Sequence, residues 1–208
     1  NGASEVGYRF VAPDGKTLEQ GHALMDGKGT LTFQVENPAL WSDETPNLYE
    51  LYLTVGGEVI RQTVGVRKFE VRGKVVYVNG KKVKAKGVNR HDSHPQLGSA
   101  TPLEHMIGDL LLLKRHNVNF IRTSHYPRSE RFYDLCDRYG LYVWTEIPLV
   151  DATTDSAAFR ANTLRVAREM VLQHRRHRCI AMWGLFNELY LKKMPDGQAE
   201  PLVREVQA

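Results

Sequence analysis

Two glutamates stand where acid/base chemistry needs carboxyl groups. Glu146 closes the apolar run Leu141–Ile147 (LYVWTEI), and Glu188 follows Asn187 directly after the run Cys179–Phe186 (CIAMWGLF). A carboxyl group at the end of a buried strand, beside an amide and the aromatic Trp183, has the setting of a general acid. The plainer alternative for Glu188 is a helix cap or a salt-bridge partner. Two more polar bursts end apolar segments, Asn89-Arg90-His91-Asp92 and Arg122-Thr123-Ser124-His125. His125, between Arg122 and Tyr126, can donate hydrogen bonds to hydroxyl groups, or it can be a buried histidine satisfied by its neighbours. His91 and His94 are spaced H-x-x-H, but with no helix to carry them and no third ligand nearby this is a weak zinc signal. His174 and His177 are expected to face solvent. Trp144 and Trp183 can stack flat on an apolar face of a ligand or fill a core.

The elements that must carry these groups change character near residue 70. Before it, apolar and polar residues alternate as in antiparallel strands, at Tyr8–Ala12, Thr30–Glu36, 49–55 and Glu58–Val66, with Gly56-Gly57 as a hairpin turn. Short strands at this spacing predict part of a β-sandwich. A second hairpin is expected at 74–87, turning on Asn79-Gly80. From about Val83 onward strands alternate with helices: strands at 84–89, 119–124, 141–147 and 179–186. Helices begin after Thr101-Pro102, after Ser129, and at Asp155 or Ser156. Thr101 is expected to cap its helix with Glu104 closing a capping box, and Gly140 to stop the second helix. The fourth strand is apolar enough to be buried on both faces.

Repeated βα units mean a parallel sheet covered by helices. Four strand ends each carrying polar chemistry favour a barrel, where all such ends open on one face. A doubly wound sheet concentrates its ligand contacts at one switch point, and no glycine-rich phosphate loop follows the first strand.

Composition narrows the classes. The 208 residues carry a net charge of +4 and a pI near 9.0, and 42% are hydrophobic. The basic residues are scattered; the densest clusters, 81–86 (KKVKAK) and 173–178 (QHRRHR), read as solvated faces, so no nucleic-acid partner is expected. No apolar run reaches the ~20 residues of a membrane span. Cys136 and Cys179 are expected as buried free thiols.

Several strings resemble glycoside hydrolase family 2, and most of all its β-galactosidases. They are 37–49 (NPALWSDETPNLY), 78–95 (VNGKKVKAKGVNRHDSHP), 121–127 (IRTSHYP), 132–143 (FYDLCDRYGLYV) and 182–188 (MWGLFNE), in the family's order and spacing from about residue 30 to 190. The resemblance implies a partial immunoglobulin-like β-sandwich at 1–68, followed at 69–208 by α/β structure, the first four βα units of a TIM (β/α)8 barrel. It implies a retaining glycoside hydrolase acting on terminal β-D-galactosides. Glu188 would be the acid/base and Asn187 would bind the sugar 2-hydroxyl. Arg122, His125 and His91 would shape the subsite, and Glu146 would touch substrate or support it rather than act as nucleophile; Trp183, from its strand position near the opening, is expected to bind substrate by stacking. The nucleophile would be a glutamate on a later strand beyond Ala208, so the chain is expected to be an inactive fragment by itself. Magnesium serves many family β-galactosidases through an acidic, histidine-containing stretch; here 145–150 (TEIPLV) has no histidine. A β-glucuronidase or another family 2 specificity, or a non-catalytic carbohydrate-binding fragment, are the alternatives. A homo-oligomer would protect the strand edges of half a barrel. Compartment, cytoplasmic or periplasmic, stays open.

Overall fold

The computed structural model describes residues 4–151, 153, 154, 156–189 and 204–206. The chain divides into two compact units at Val83/Lys84.

The first unit is antiparallel. Strands β1 (Ser4–Val11), β2 (Thr17–Met25), β3 (Tyr49–Val55) and β4 (Glu58–Val64) form a sheet of order β2-β1-β3-β4. A shorter three-stranded sheet follows, β5 (Phe69–Arg72), β6 (Val75–Val78) and β7 (Lys81–Lys82), and the pair of sheets is sandwich-like. Both expected hairpins form. Gly56 and Gly57 (φ 57° and 86°), like Asn79 and Gly80 (φ 52° and 78°), take the two positive φ angles that a type I′ turn needs. The period of two in β1 puts Val6 and Phe10 into the core with Tyr49 of β3. Each such residue contributes ~1.5–3 kcal/mol by leaving water.

The segment 30–36 is not a strand, although it alternates. Among the described residues it has no ladder partner, and its Phe33 serves as a plug, stacked 4.6 Å from Phe10 and edge-on to Tyr8 at 5.7 Å. The strand that pairs with β1 on that side is β2, whose mixed sequence TLEQGHALM hides it from a periodicity reading.

The second unit is β8 (Gly87–Arg90), α1 (Leu103–Arg115), β9 (Phe120–Thr123), α2 (Glu130–Tyr139), β10 (Tyr142–Glu146), α3 (Ala157–His174) and β11 (Ile180–Gly184). The strands are parallel and lie side by side in chain order, β8-β9-β10-β11. That unreversed order is the winding of a (β/α)8 barrel; a doubly wound sheet would reverse direction. One face of the sheet, with Ile121, Thr123, Val143 and Thr145 fully buried, is roofed by helix residues such as Phe132 and Tyr133 of α2. A further apolar cluster joins Ile147, Leu149 and Met170 of α3.

Helix boundaries follow local chemistry in part. Ser156 caps α3, accepting the Phe159 N–H at 3.1 Å, and Gly140 (φ 69°) closes α2 in the left-handed region. Asp155 lies outside the described residues. Thr101 does not cap α1. Pro102 is the N-cap, and no side chain caps the helix; the Thr101 hydroxyl turns back to the Ser99 carbonyl at 3.4 Å. Ser129 sits at the N-cap of α2 without a side-chain cap bond. β11 is not buried on both faces among the described residues: Met182 and Trp183 are each 36% exposed. Both cysteines are buried free thiols. No described helix is long and apolar enough to cross a membrane.

Candidate active site

The parallel register decides which side chains meet. Arg122 of β9 lies opposite Asn89 of β8 and Trp144 of β10, so these three point to the same side of the sheet, away from the buried face; Glu146, two residues past Trp144, joins them. Arg122 stacks on the Trp144 ring, 4.9 Å from its centroid, and its guanidinium forks onto Glu146, Nε to Oε2 at 2.9 Å and Nη2 to Oε1 at 3.1 Å. Bidentate bonds of this kind fix orientation as well as energy. The same Nη2 donates to Asn187 Oδ1 at 2.8 Å. His125 Nδ1 lies 2.6 Å from Glu146 Oε1, and the His125 ring meets His91 edge-on at 5.3 Å.

Space for this arrangement comes from Gly184. It lies opposite Glu146 in the ladder, and a Cβ there would sit 2.5 Å from Glu146 Cβ and 2.2 Å from Trp144 Nε1. Asn187 is held in place by backbone pairing with the loop after β10. Its N–H donates to Leu149 O at 2.8 Å, and its carbonyl accepts from Asp151 N–H at 3.1 Å.

Arg122, His125, Glu146 and Asn187 are therefore one hydrogen-bonded cluster, with His91 at its border. Glu188 is the next residue along, exposed and in the left-handed region at φ 46°, the only position of this Asn-Glu pair that solvent reaches freely. Trp183 is not part of the cluster. Its ladder partner is Thr145, whose hydroxyl meets Tyr133 of α2 at 2.7 Å, so Trp183 shares the helix-facing side of the sheet. His94 is also elsewhere: its Nδ1 accepts the Gln96 and Leu97 N–H groups at 3.2 Å, and its ring packs on His105.

The Glu146 carboxylate does not suit a magnesium ion. Both oxygens already accept bonds from Arg122, and Oε1 also contacts His125, which leaves little lone-pair capacity for a hard cation that wants oxygen ligands.

A residue the motifs did not single out holds two of the strand ends together. Arg128 is buried; its Nη2 donates to the carbonyls of Arg90 (2.5 Å) and Ser124 (2.8 Å), and its guanidinium lies 4.0 Å over the Tyr126 ring. Arg90 is likewise internal, bonded to Asp92 and Asp109 and stacked on Phe132. The signal available in sequence was weak: an arginine just after a Tyr-Pro pair looks like a loop cation.

Residues 69–199 match the family description "Glycosyl hydrolases family 2, TIM barrel domain", and residues 4–67 match "Glycosyl hydrolases family 2". The chain belongs to glycoside hydrolase family 2. A β-galactosidase of Staphylococcus xylosus is 33% identical over 93% of the chain, and one of Erwinia tasmaniensis is 41% identical over 76% of it. Those alignments span 21% and 17% of the relatives, so the chain covers about a fifth of the curated proteins it matches. Among solved structures, Bacteroides uniformis β-glucuronidase 3 superposes with a TM-score of 0.90 at 28% identity, covering 97% of this chain and 27% of that one. Within family 2, then, the chain corresponds to a sandwich domain and the opening βα units of the barrel domain.

Proposed function

We propose that this chain carries the acid/base side of a retaining β-glycosidase site, with terminal β-D-galactosides as substrates. The observation that supports it best is the hydrogen-bonded cluster of Arg122, His125, Glu146 and Asn187 at neighbouring strand ends, immediately before an exposed Glu188.

In this reading Glu188 protonates the glycosidic oxygen as the bond breaks and then takes a proton from the water that hydrolyses the glycosyl-enzyme. Asn187, anchored through Arg122 and the backbone, binds the sugar 2-hydroxyl, where hydrogen bonds strengthen toward the transition state. His91 and His125 border the same subsite. Glu146 orients Arg122 and His125; with both oxygens engaged it is a poor nucleophile. The nucleophile in this reading is another carboxylate, about 5–5.5 Å from Glu188 as retention requires, supplied by the longer polypeptide in which these residues would work. Galactose as the sugar rests on the β-galactosidases at 33% and 41% identity. β-Glucuronides are the second reading, favoured by the β-glucuronidase that superposes at a TM-score of 0.90.

The test is hydrolysis of a nitrophenyl β-D-galactoside by this chain and by the polypeptide that carries it, each as wild type and as Glu188→Gln. The chain is expected to be inactive and the longer polypeptide active. The substitution should lower turnover about 10²–10⁴-fold, and azide, which needs no general base, should restore it as a β-glycosyl azide. Activity of the chain itself that depends on both Glu146 and Glu188 would refute the assignment of the nucleophile. Cleavage of the β-glucuronide in place of the galactoside would move the substrate and keep the acid/base.

A further inference from the structure

A second convergence of charged and imidazole groups lies where α2 meets the C-terminal end of α3, and it shares no residue with the strand-end cluster. We propose that Glu130, His174 and His177 form a binding site for a divalent transition metal of the zinc type, with Asp137 as the residue that orients His177.

Three donor atoms converge there, all within 4.8 Å of one another. Glu130 Oε1 is 2.6 Å from His174 Nδ1, and Glu130 Oε2 is 2.9 Å from His177 Nε2. The other nitrogen of His177, Nδ1, lies 2.7 Å from Asp137 Oδ2, and Asp137 is itself fixed by the Cys179 N–H, which donates to Oδ1 at 2.6 Å. A carboxylate that holds the far nitrogen of a histidine puts the proton there and turns the Nε2 lone pair to the metal side. This also decides between two possible groupings. Asp137, His177 and Cys179 also lie close together, but both Asp137 oxygens are engaged, by the Cys179 N–H and by His177 Nδ1, whereas the side facing Glu130 brings a second imidazole, His174.

The shortest imidazole–carboxylate contact of the site is at His174. Its side chain is 3% exposed and packs on the Tyr133 ring at 4.6 Å, and its Nδ1 meets Glu130 Oε1 at 2.6 Å as an ion pair. A proton holds this nitrogen to this oxygen in the metal-free protein, and a cation with the oxygen and nitrogen as ligands takes its place. Two imidazole nitrogens and one carboxylate are a zinc donor set; magnesium and calcium prefer oxygen alone. Zinc bonds of about 2.0–2.1 Å put tetrahedral ligands roughly 3.3 Å apart, so Glu130 has to draw back slightly. Its side chain is 33% exposed, which gives it room to do so and leaves the fourth position to water. The competitor is Arg176, whose Nη2 sits 2.5 Å from Glu130 Oε2 while Nη1 reaches Asp134 at 3.3 Å. Metal entry shifts the guanidinium toward Asp134.

The test uses the purified chain, stripped with a chelator and dialysed against zinc. One equivalent of zinc should be retained, cobalt(II) should give the visible bands of a four-coordinate site, and zinc but not magnesium should raise Tm. His174→Gln and Glu130→Gln should abolish retention, and Arg176→Gln, which keeps every ligand and removes the competing cation, should tighten it. A wild type that takes up no zinc overturns the proposal and leaves a proton-held ion network. Zinc uptake indifferent to these three substitutions overturns it as well, by placing the metal elsewhere.

Discussion

The barrel half holds two clusters built from the same residue types and set in opposite surroundings. At the strand ends, Glu146 accepts from Arg122 and His125 beside an exposed Glu188. Between α2 and α3, Glu130, Asp134 and Asp137 line one face of α2 and receive Arg176 and His177. The first cluster ends at a residue that solvent reaches; in the second, both histidines and Asp137 are buried. Burial against helices makes the second cluster a matter of folding, because a charge there is tolerable only while its partner stays. The first leaves Glu188 outside the network, as the proposed acid/base role needs.

The sharpest way to break this comparison is a crossed pair of substitutions. In the longer polypeptide, Glu188→Gln should cost about 10²–10⁴-fold in turnover, with Tm nearly unchanged because the amide matches the carboxyl group in shape. Asp137→Asn should do the reverse. It strands buried His177 and should destabilise by about 3–5 kcal/mol, measured by denaturant unfolding, while turnover per folded molecule is kept. If Asp137→Asn instead lowers turnover at full stability, the division of labour is wrong.

The pH dependence of stability comes next in size. Burial opposes a charge on His177, but the hydrogen bonds and charges of Asp137 and Glu130 outweigh it and hold its pKa above the usual 6.5. A raised folded-state value means stability that is complete below 6.5 and lost as pH rises through the folded value. His174 works the other way, since burial lowers its pKa, and its contribution is lost as pH falls through that lower value. In metal-free protein, the stability difference between wild type and His177→Gln should therefore be larger at acid pH than at alkaline pH. A difference that grows toward alkaline pH would show that His177 is neutral in the folded state.

The smallest effect separates two helix starts in the same unit. Ser156→Ala removes a cap bond that is present and should cost about 1 kcal/mol, whereas Thr101→Ala removes none and should stay within about 0.5 kcal/mol, both read from thermal unfolding.

These contrasts also show what could be read from residues alone. Positions fixed by local backbone demands were legible: Gly56-Gly57, Asn79-Gly80 and Gly140 have positive φ angles that few other residues adopt cheaply. Strand ends rich in polar residues were legible too, and Arg122, His125, Glu146 and Asn187 do meet. What stayed hidden depends on partners distant in sequence. His174 and His177 lie in a run of cations that reads as a solvated face; acidic residues about 40 positions earlier draw them inside. The alternation of 30–36 promised a strand, but β2 takes the edge of β1, and Phe33 is used for packing instead. Trp183 sits one residue out of phase with Glu146's ladder partner, a parity set by the irregular register between Val143 and Trp144.

Gly184 gives the strand-end cluster an unusual vulnerability. The stacking of Arg122 on Trp144 and its fork onto Glu146 both depend on a volume that Gly184 leaves empty. One added methyl group would push on the indole and the glutamate together, and the arginine that bridges them would pass the displacement to Asn187. Every polar group proposed for chemistry would still be present, but aimed at the wrong points. The alignment of the site is thus encoded at a position that contributes no functional group at all.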